Sequence, residues 1–183
     1  MAFSAALSNP GHQSNLGTHQ TIVFDRVYTN TDNIYSPNTG VFRVPVSGTY
    51  VVSVYITLGQ VQEYTYFEVV ENGSNLGDII MDNRVYGSTD SHATGIKYNS
   101  GFKQWLFHLS QGSEVWVWLP SYSPSSSIHG NGHSMFNAWL LFPDNWHSNK
   151  NYLVEVCKWD SFYLIKISLL PEIAWYMYVY MHW

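Results

Sequence analysis

The residues best equipped for chemistry are two histidines four apart, in His129-Gly130-Asn131-Gly132-His133. On a helix that spacing would set both imidazoles on one face, where they could share a metal ion, as in zinc proteases. Two glycines inside the spacing argue against a helix, and no glutamate stands between the histidines to activate a bound water. The run is expected to be a turn. Asp78, Asp82 and Asp90 lie in or beside one polar stretch. Loop carboxylates can hold calcium together with backbone carbonyls, which makes Asp82 and Asp90 the calcium candidates. No dense Asp/Asn ligand run surrounds them, so solvated loop acids are the expectation.

Other chemistry is thinner. Glu63 and Glu68 offer no acid/base pair that spacing can place. The serines, histidines and aspartates lack a nucleophile-elbow context, and no glycine loop of the phosphate-binding kind occurs. Cys157 is the one cysteine, so no internal disulfide forms, and no activating base is placed beside it. Asn72-Gly73-Ser74 fits a glycosylation acceptor, but Asn-Gly is also the strongest short hairpin signal, and tight turns are poor acceptors. These residues point away from an enzyme.

The bulk of the chain agrees. Its 183 residues are a one-domain length with ample core. Only 11% are charged, the net charge is −5, and eight scattered Lys and Arg form no patch for a phosphate backbone. Nucleic acid is therefore not an expected partner. Aromatics reach 17%, which suits a sheet protein with extensive buried or mated surface. No basic start followed by a long apolar run marks a signal peptide, and no Gly-X-Y tract is present.

The elements that must position these residues read as strands. Ala2 to Ser8 is a first strand, 12–19 a loop, and Ile22-Val23-Phe24 a short strand. From Thr49 to Leu58 the alternation is clear: Tyr50, Val52, Val54, Ile56 and Leu58 share one face, and Val51, Ser53, Tyr55 and Thr57 the other. Residues 63–71 and 74–81 form strands around the Asn72-Gly73 turn. A polar loop follows over 82–91, then strand sequence over 96–109. Residues 114–119 put Val115, Val117 and Leu119 on one side, with Trp116 and Trp118 on the other. Residues 120–134 read as loop and 135–142 as a closing strand. No helical period occurs before Asn145, so the class is an all-β two-sheet sandwich.

Phe24, Asn30, Tyr35, Phe42, Gly48 and Tyr50, spaced through FDRVYTNTDNIYSPNTGVFRVPVSGTY, resemble the opening signature of the C1q domain family. LFHLSQGSEVWV, with Gly112 at its turn, and IHGNGHSMFNAWLLFPD, with Phe136, resemble its later strands. The resemblance runs from Ala2 to about Asn145. Val52 and Val54 stand where the family usually has aromatics. The resemblance implies a jelly-roll sandwich of the C1q/tumour necrosis factor kind, secreted, non-enzymatic and homotrimeric. It implies recognition of microbial surface patterns, glycans or proteins in innate immunity, or else receptor signalling. Calcium is bound by some members near the trimer axis. The ligand loops would be 83–93 and 121–134, offering Asp82, Tyr86, Asp90, Tyr122, His129 and His133. A trimer supplies cover for strand faces too apolar for water, with Tyr55, Trp116, Trp118 and Trp139 as interface candidates.

Residues 1–145 are thus expected to form the globular domain. Residues 146–183 hold half of the eight tryptophans and none of the 13 glycines, and match nothing in the resemblance. Lys166, Pro171 and Glu172 interrupt their apolar run, which falls short of the roughly 18 residues of a membrane span. Membrane insertion is not expected, and the segment reads as a tail without its own core, of the kind a misplaced gene end would add.

Overall fold

Backbone alternation and tight corners organise the chain. The computed structural model describes residues 1–8, 12–58, 64–82, 99–121, 126–147, 152–159, 162–169 and 173–176; for 12–15, 126 and all those beyond 145 the description is of backbone alone. Its strands are β1 (Ala2–Ala6), β2 (His12–Leu16), β3 (Arg26–Asn30), β4 (Tyr35–Ser36), β5 (Val41–Arg43), β6 (Gly48–Leu58), β7 (Tyr64–Glu71), β8 (Ser74–Asp82), β9 (Asn99–Leu109), β10 (Glu114–Trp118), β11 (Ser126–His129), β12 (Met135–Pro143), β13 (Tyr152–Trp159), β14 (Phe162–Leu169) and β15 (Ile173–Tyr176). The backbone divides into two compact units, Met1–Pro143 and Asp144–Trp183.

In the first unit two antiparallel sheets face each other. One runs β2-β11-β6-β12-β1-β3, with β9 also paired to β6; the other runs β4-β5-β10-β7-β8. The core lies between them. Tyr50, Val52, Val54, Ile56 and Leu58 of β6 are wholly buried, as are Val115, Val117 and Leu119 from the opposite sheet. Each is the inward set of an alternating strand. Two glycines let the sheets close: a Cβ on Gly77 would lie 2.7 Å from Trp105 Nε1, and one on Gly101 2.9 Å from Ile79 and Met81 side-chain atoms.

The family signature residues hold corners together. Tyr35, 2% exposed, accepts the Phe24 N–H through its hydroxyl oxygen and donates its O–H to the Phe24 carbonyl, both at 3.1 Å. Asn30 closes the intervening loop, donating to Tyr35 O at 2.8 Å and accepting from Tyr35 N at 3.0 Å. The Tyr35 ring stacks on Phe3 at 4.6 Å, and Phe3 also packs on Phe42 and Phe136. Tyr50 donates to Val46 O at 2.7 Å. A side chain on Gly48 would strike the Phe142 carbonyl and Pro143. Gly112 has φ +87 at its turn, a conformation glycine adopts without strain. Asn72 and Gly73, both with positive φ, make the expected two-residue hairpin between β7 and β8.

Three expectations are corrected. Residues 12–19, read as loop, contain β2, and 120–134 contain β11; the two pair with each other. Both are polar and lack alternation, so their pairing is a backbone event with little side-chain signal. Conversely, Ile22-Val23-Phe24 is not a strand, although Ile22 and Phe24 are wholly buried. Its backbone is satisfied piecemeal, by Tyr35 at Phe24 and by a 2.8 Å bond from Ile22 N to Val117 O. The strand comes later, at Arg26–Asn30.

In the second unit β13, β14 and β15 form an antiparallel meander. The segment was expected to be a tail without its own core, and its residue types allow strands. YLVEVCKW and FYLIKISL are β-branched and aromatic runs two residues apart, the spacing of a hairpin. Among the described residues no helix is long and apolar enough to cross a membrane.

Candidate functional site

Register places the outer face of the larger sheet in rows. Ala2 pairs Trp139, Trp139 pairs Val51, and Val51 pairs Leu106. The next outward row is Ser4, Asn137, Ser53 and Gln104; the next is Ala6, Met135, Tyr55 and Phe102. Two apolar rows therefore flank a polar one, and none of the twelve residues is charged. Leu106 is 64% exposed, Phe102 59% and Trp139 38%. The polar row is wired internally: Ser4 Oγ donates to Asn137 Oδ1 at 2.6 Å, and Asn137 Nδ2 donates to Ser53 Oγ at 3.3 Å.

The four interface candidates do not form one patch. Tyr55 and Trp139 lie on this face. Trp116 and Trp118 lie on the outer face of the other sheet, with rings edge to face at 5.9 Å. Trp118 donates its indole N–H to the buried Glu68 carboxylate at 2.9 Å, and His19 sits 4.8 Å from its ring. Phe102 and Leu106 were not among the sequence candidates. In β9 apolar residues occur on both faces, with Trp105 and Phe107 packed against the core, so alternation alone cannot tell the exposed pair from the buried one.

The ligand-loop candidates separate as well. Asp82 ends β8, exposed, its carbonyl accepting from Asn99 Nδ2 at 3.5 Å. Asp78 is the register partner of Glu68. Tyr86, Asp90 and Tyr122 lie outside the described residues, as does loop 83–93. Among the described side chains no group of three His, Cys, Asp or Glu is placed to hold a metal. His129 and His133 come together, rings 4.8 Å apart and tilted 32°. Asn131 (φ 56) and Gly132 (φ 82) form the turn between them, closed by His133 N to Gly130 O at 3.1 Å. A turn was expected here, and the positive φ values are its physical basis.

Two antiparallel sheets joined in this order define a jelly-roll sandwich whose corners are held by aromatic and asparagine side chains. The C1q domain model matches residues 2–141, and the chain belongs to the C1q domain family. It is 33% identical over 152 residues to a complement C1q subcomponent polypeptide of Bos taurus, covering 78% of this chain and 52% of that protein. It is 29% identical over 144 residues to complement C1q tumor necrosis factor-related protein 3 of Mus musculus, covering 78% and 51%. The chain thus spans about half the length of these relatives. Among solved structures the globular domain of zebrafish complement 1qA aligns with a TM-score of 0.58 at 16% identity, over 78% of this chain and 98% of that one. Eiger TNF from S. frugiperda aligns with a TM-score of 0.60 at 16% identity, over 78% and 93%.

Proposed function

We propose that this chain is a non-enzymatic, extracellular recognition module that assembles as a homotrimer and binds microbial surface patterns, glycans or proteins through loops at one end. The observation that carries the reading is the uncharged outer face of β1, β12, β6 and β9. Leu106 and Phe102, 64% and 59% exposed, sit there in rows that neighbouring strands cannot cover. Contiguous exposed apolar area on a soluble protein marks an interaction surface. Three copies would shelter it and present three sets of loops, strengthening weak single contacts. The interface is assigned to Tyr55, Phe102, Leu106 and Trp139, and ligand contact to the loops bearing Asp82, Tyr86, Asp90, Tyr122, His129 and His133. Calcium at Asp82 and Asp90 would be an accessory to that contact.

Sedimentation of the purified chain tests the assembly, and pull-down on polysaccharide tests the ligand class. A trimer at micromolar concentration whose polysaccharide binding is displaced by free sugar supports recognition. A monomer with or without calcium refutes the assembly. A second reading, a secreted trimeric signalling ligand, is favoured by the equal likeness to Eiger TNF and by the match to a tumor necrosis factor-related protein. Tight binding to a single cell-surface protein, with no displacement by sugars, selects it.

A further inference from the structure

The histidine turn carries more than loop geometry. His129 and His133 are held by an internal hydroxyl network at the end of the larger sheet. Ser134, wholly buried, donates its hydroxyl to His129 O at 2.9 Å and accepts from Thr57 N at 3.1 Å. Thr57, 6% exposed, donates its hydroxyl to His133 O at 2.7 Å. Gly132 N donates to Leu7 O, and Leu7 N to Ser134 O, each at 3.0 Å. Both histidine backbones are thereby fixed to β6, to the strap after β1, or to the turn itself. Supporting hydrogen bonds of this kind give a binding constellation its precision.

The spacing of the two rings matches that of a shared ion. Metal–nitrogen bonds of about 2.0–2.1 Å at a tetrahedral centre put two imidazole centroids roughly 5 Å apart; these lie 4.8 Å apart. His12 on β2 is the backbone register partner of His129 on β11.

We propose that His129 and His133 form a binding site for a divalent transition-metal ion of the zinc and copper class. Imidazole suits such ions, whereas calcium takes oxygen ligands, so this site is distinct from the carboxylates at Asp82 and Asp90. It stands independently of the assembly and of the ligand class proposed above. Water or an external group would complete the coordination.

The test uses the full chain, stripped with chelator and dialysed to equilibrium against Zn²⁺, with Ca²⁺ as the control ion. One Zn²⁺ per chain and a thermal midpoint raised by Zn²⁺ but not by Ca²⁺ are expected. His129→Gln and His133→Gln should each weaken Zn²⁺ binding by about tenfold or more. His133 is exposed on a turn, so His133→Gln keeps the test valid if His129→Gln perturbs folding; circular dichroism in chelator checks both. Absence of Zn²⁺ binding at on the order of 100 µM overturns the site. So does unchanged binding in His133→Gln, which would locate the ion elsewhere in the chain.

Discussion

Replacing Leu106 by aspartate separates assembly from folding more cleanly than any other change on the outer face. Leu106 is 64% exposed within one chain, so its truncation removes little burial from the folded monomer. Fully burying a leucine is worth roughly 1.5–3 kcal/mol, so covering that exposed share in an assembly is worth roughly 1–2 kcal/mol per copy. Three copies lose roughly 3–6 kcal/mol together, a factor on the order of 10² to 10⁴ in the trimer association constant. The new carboxylate adds to this, because it would be desolvated among rows of β1, β12, β6 and β9 that carry no cation. Sedimentation velocity across a concentration series reads the association, and thermal unfolding at a concentration where the wild type is monomeric reads the fold. The expected result is a monomer of nearly unchanged intrinsic stability. Trp116→Asp, on the other sheet, should leave association intact. If Leu106→Asp associates as the wild type does, the outer face of β1, β12, β6 and β9 is not the interface.

Tyr35→Phe leaves the buried Phe24 N–H and C=O without the hydroxyl that serves both, and chemical denaturation should show a loss of about 2–3 kcal/mol with the fold retained. Burial pushes the Tyr35 hydroxyl above its ordinary value of 10.0. The unfolded chain therefore gives up this proton at lower pH than the folded one, and stability that is full below pH 10 falls as pH rises past it; denaturation curves on the alkaline side should show a shallower decline in Tyr35→Phe. Gly48→Ala puts a methyl group against the Phe142 carbonyl and Pro143, backbone atoms that cannot yield, so loss of soluble folded protein on expression is expected, while Gly73→Ala, with open space around it, should cost only the strain of its positive φ. Asn137→Leu should preserve or tighten association yet broaden the distribution of species in native mass spectrometry, because it removes the centre of the polar row.

Much of the sandwich was legible in the sequence because its strands alternate. Tyr50 to Leu58 and Val115 to Leu119 declare their inward faces at period two, and Asn72-Gly73 declares its turn. The six signature positions Phe24, Asn30, Tyr35, Phe42, Gly48 and Tyr50 were legible as a pattern, but their work at corners is done across the fold by partners that spacing does not name. What stayed hidden has a common cause. β2 and β11 are polar strands that exist by pairing with each other, and no local property of HQSNL or SSIH announces a partner more than a hundred residues away. β9 hides its exposed side in the opposite manner, with large apolar residues at Phe102 and Leu106 outside and at Trp105 and Phe107 inside. Trp116 and Trp118 stand on a different sheet from Tyr55 and Trp139, and the sequence could not separate them: alternation says which residues share a strand face, not which sheet that strand joins.

The row pattern on the outer face argues for a particular kind of partner. Apolar rows alone would attract any greasy surface in many alignments. A serine, asparagine, serine and glutamine row between them changes the energetics, since Asn137 is already bonded on both sides and the row can be covered only where its remaining donors and acceptors are met. That condition penalises shifted alignments far more than the apolar rows do. Across β1, β12, β6 and β9 these rows are also free of charge on a chain of net charge −5, with Arg26 of β3, the partner of Ala6, at their margin. A second copy therefore brings no like charges to the contact, while a strongly basic partner finds no carboxylate in these rows to pair with. Neutral apolar rows, a wired polar row and exposure concentrated at Leu106 and Phe102 fit the proposed trimer, in which each copy would meet its neighbours in one register and keep the loops at the sheet ends free.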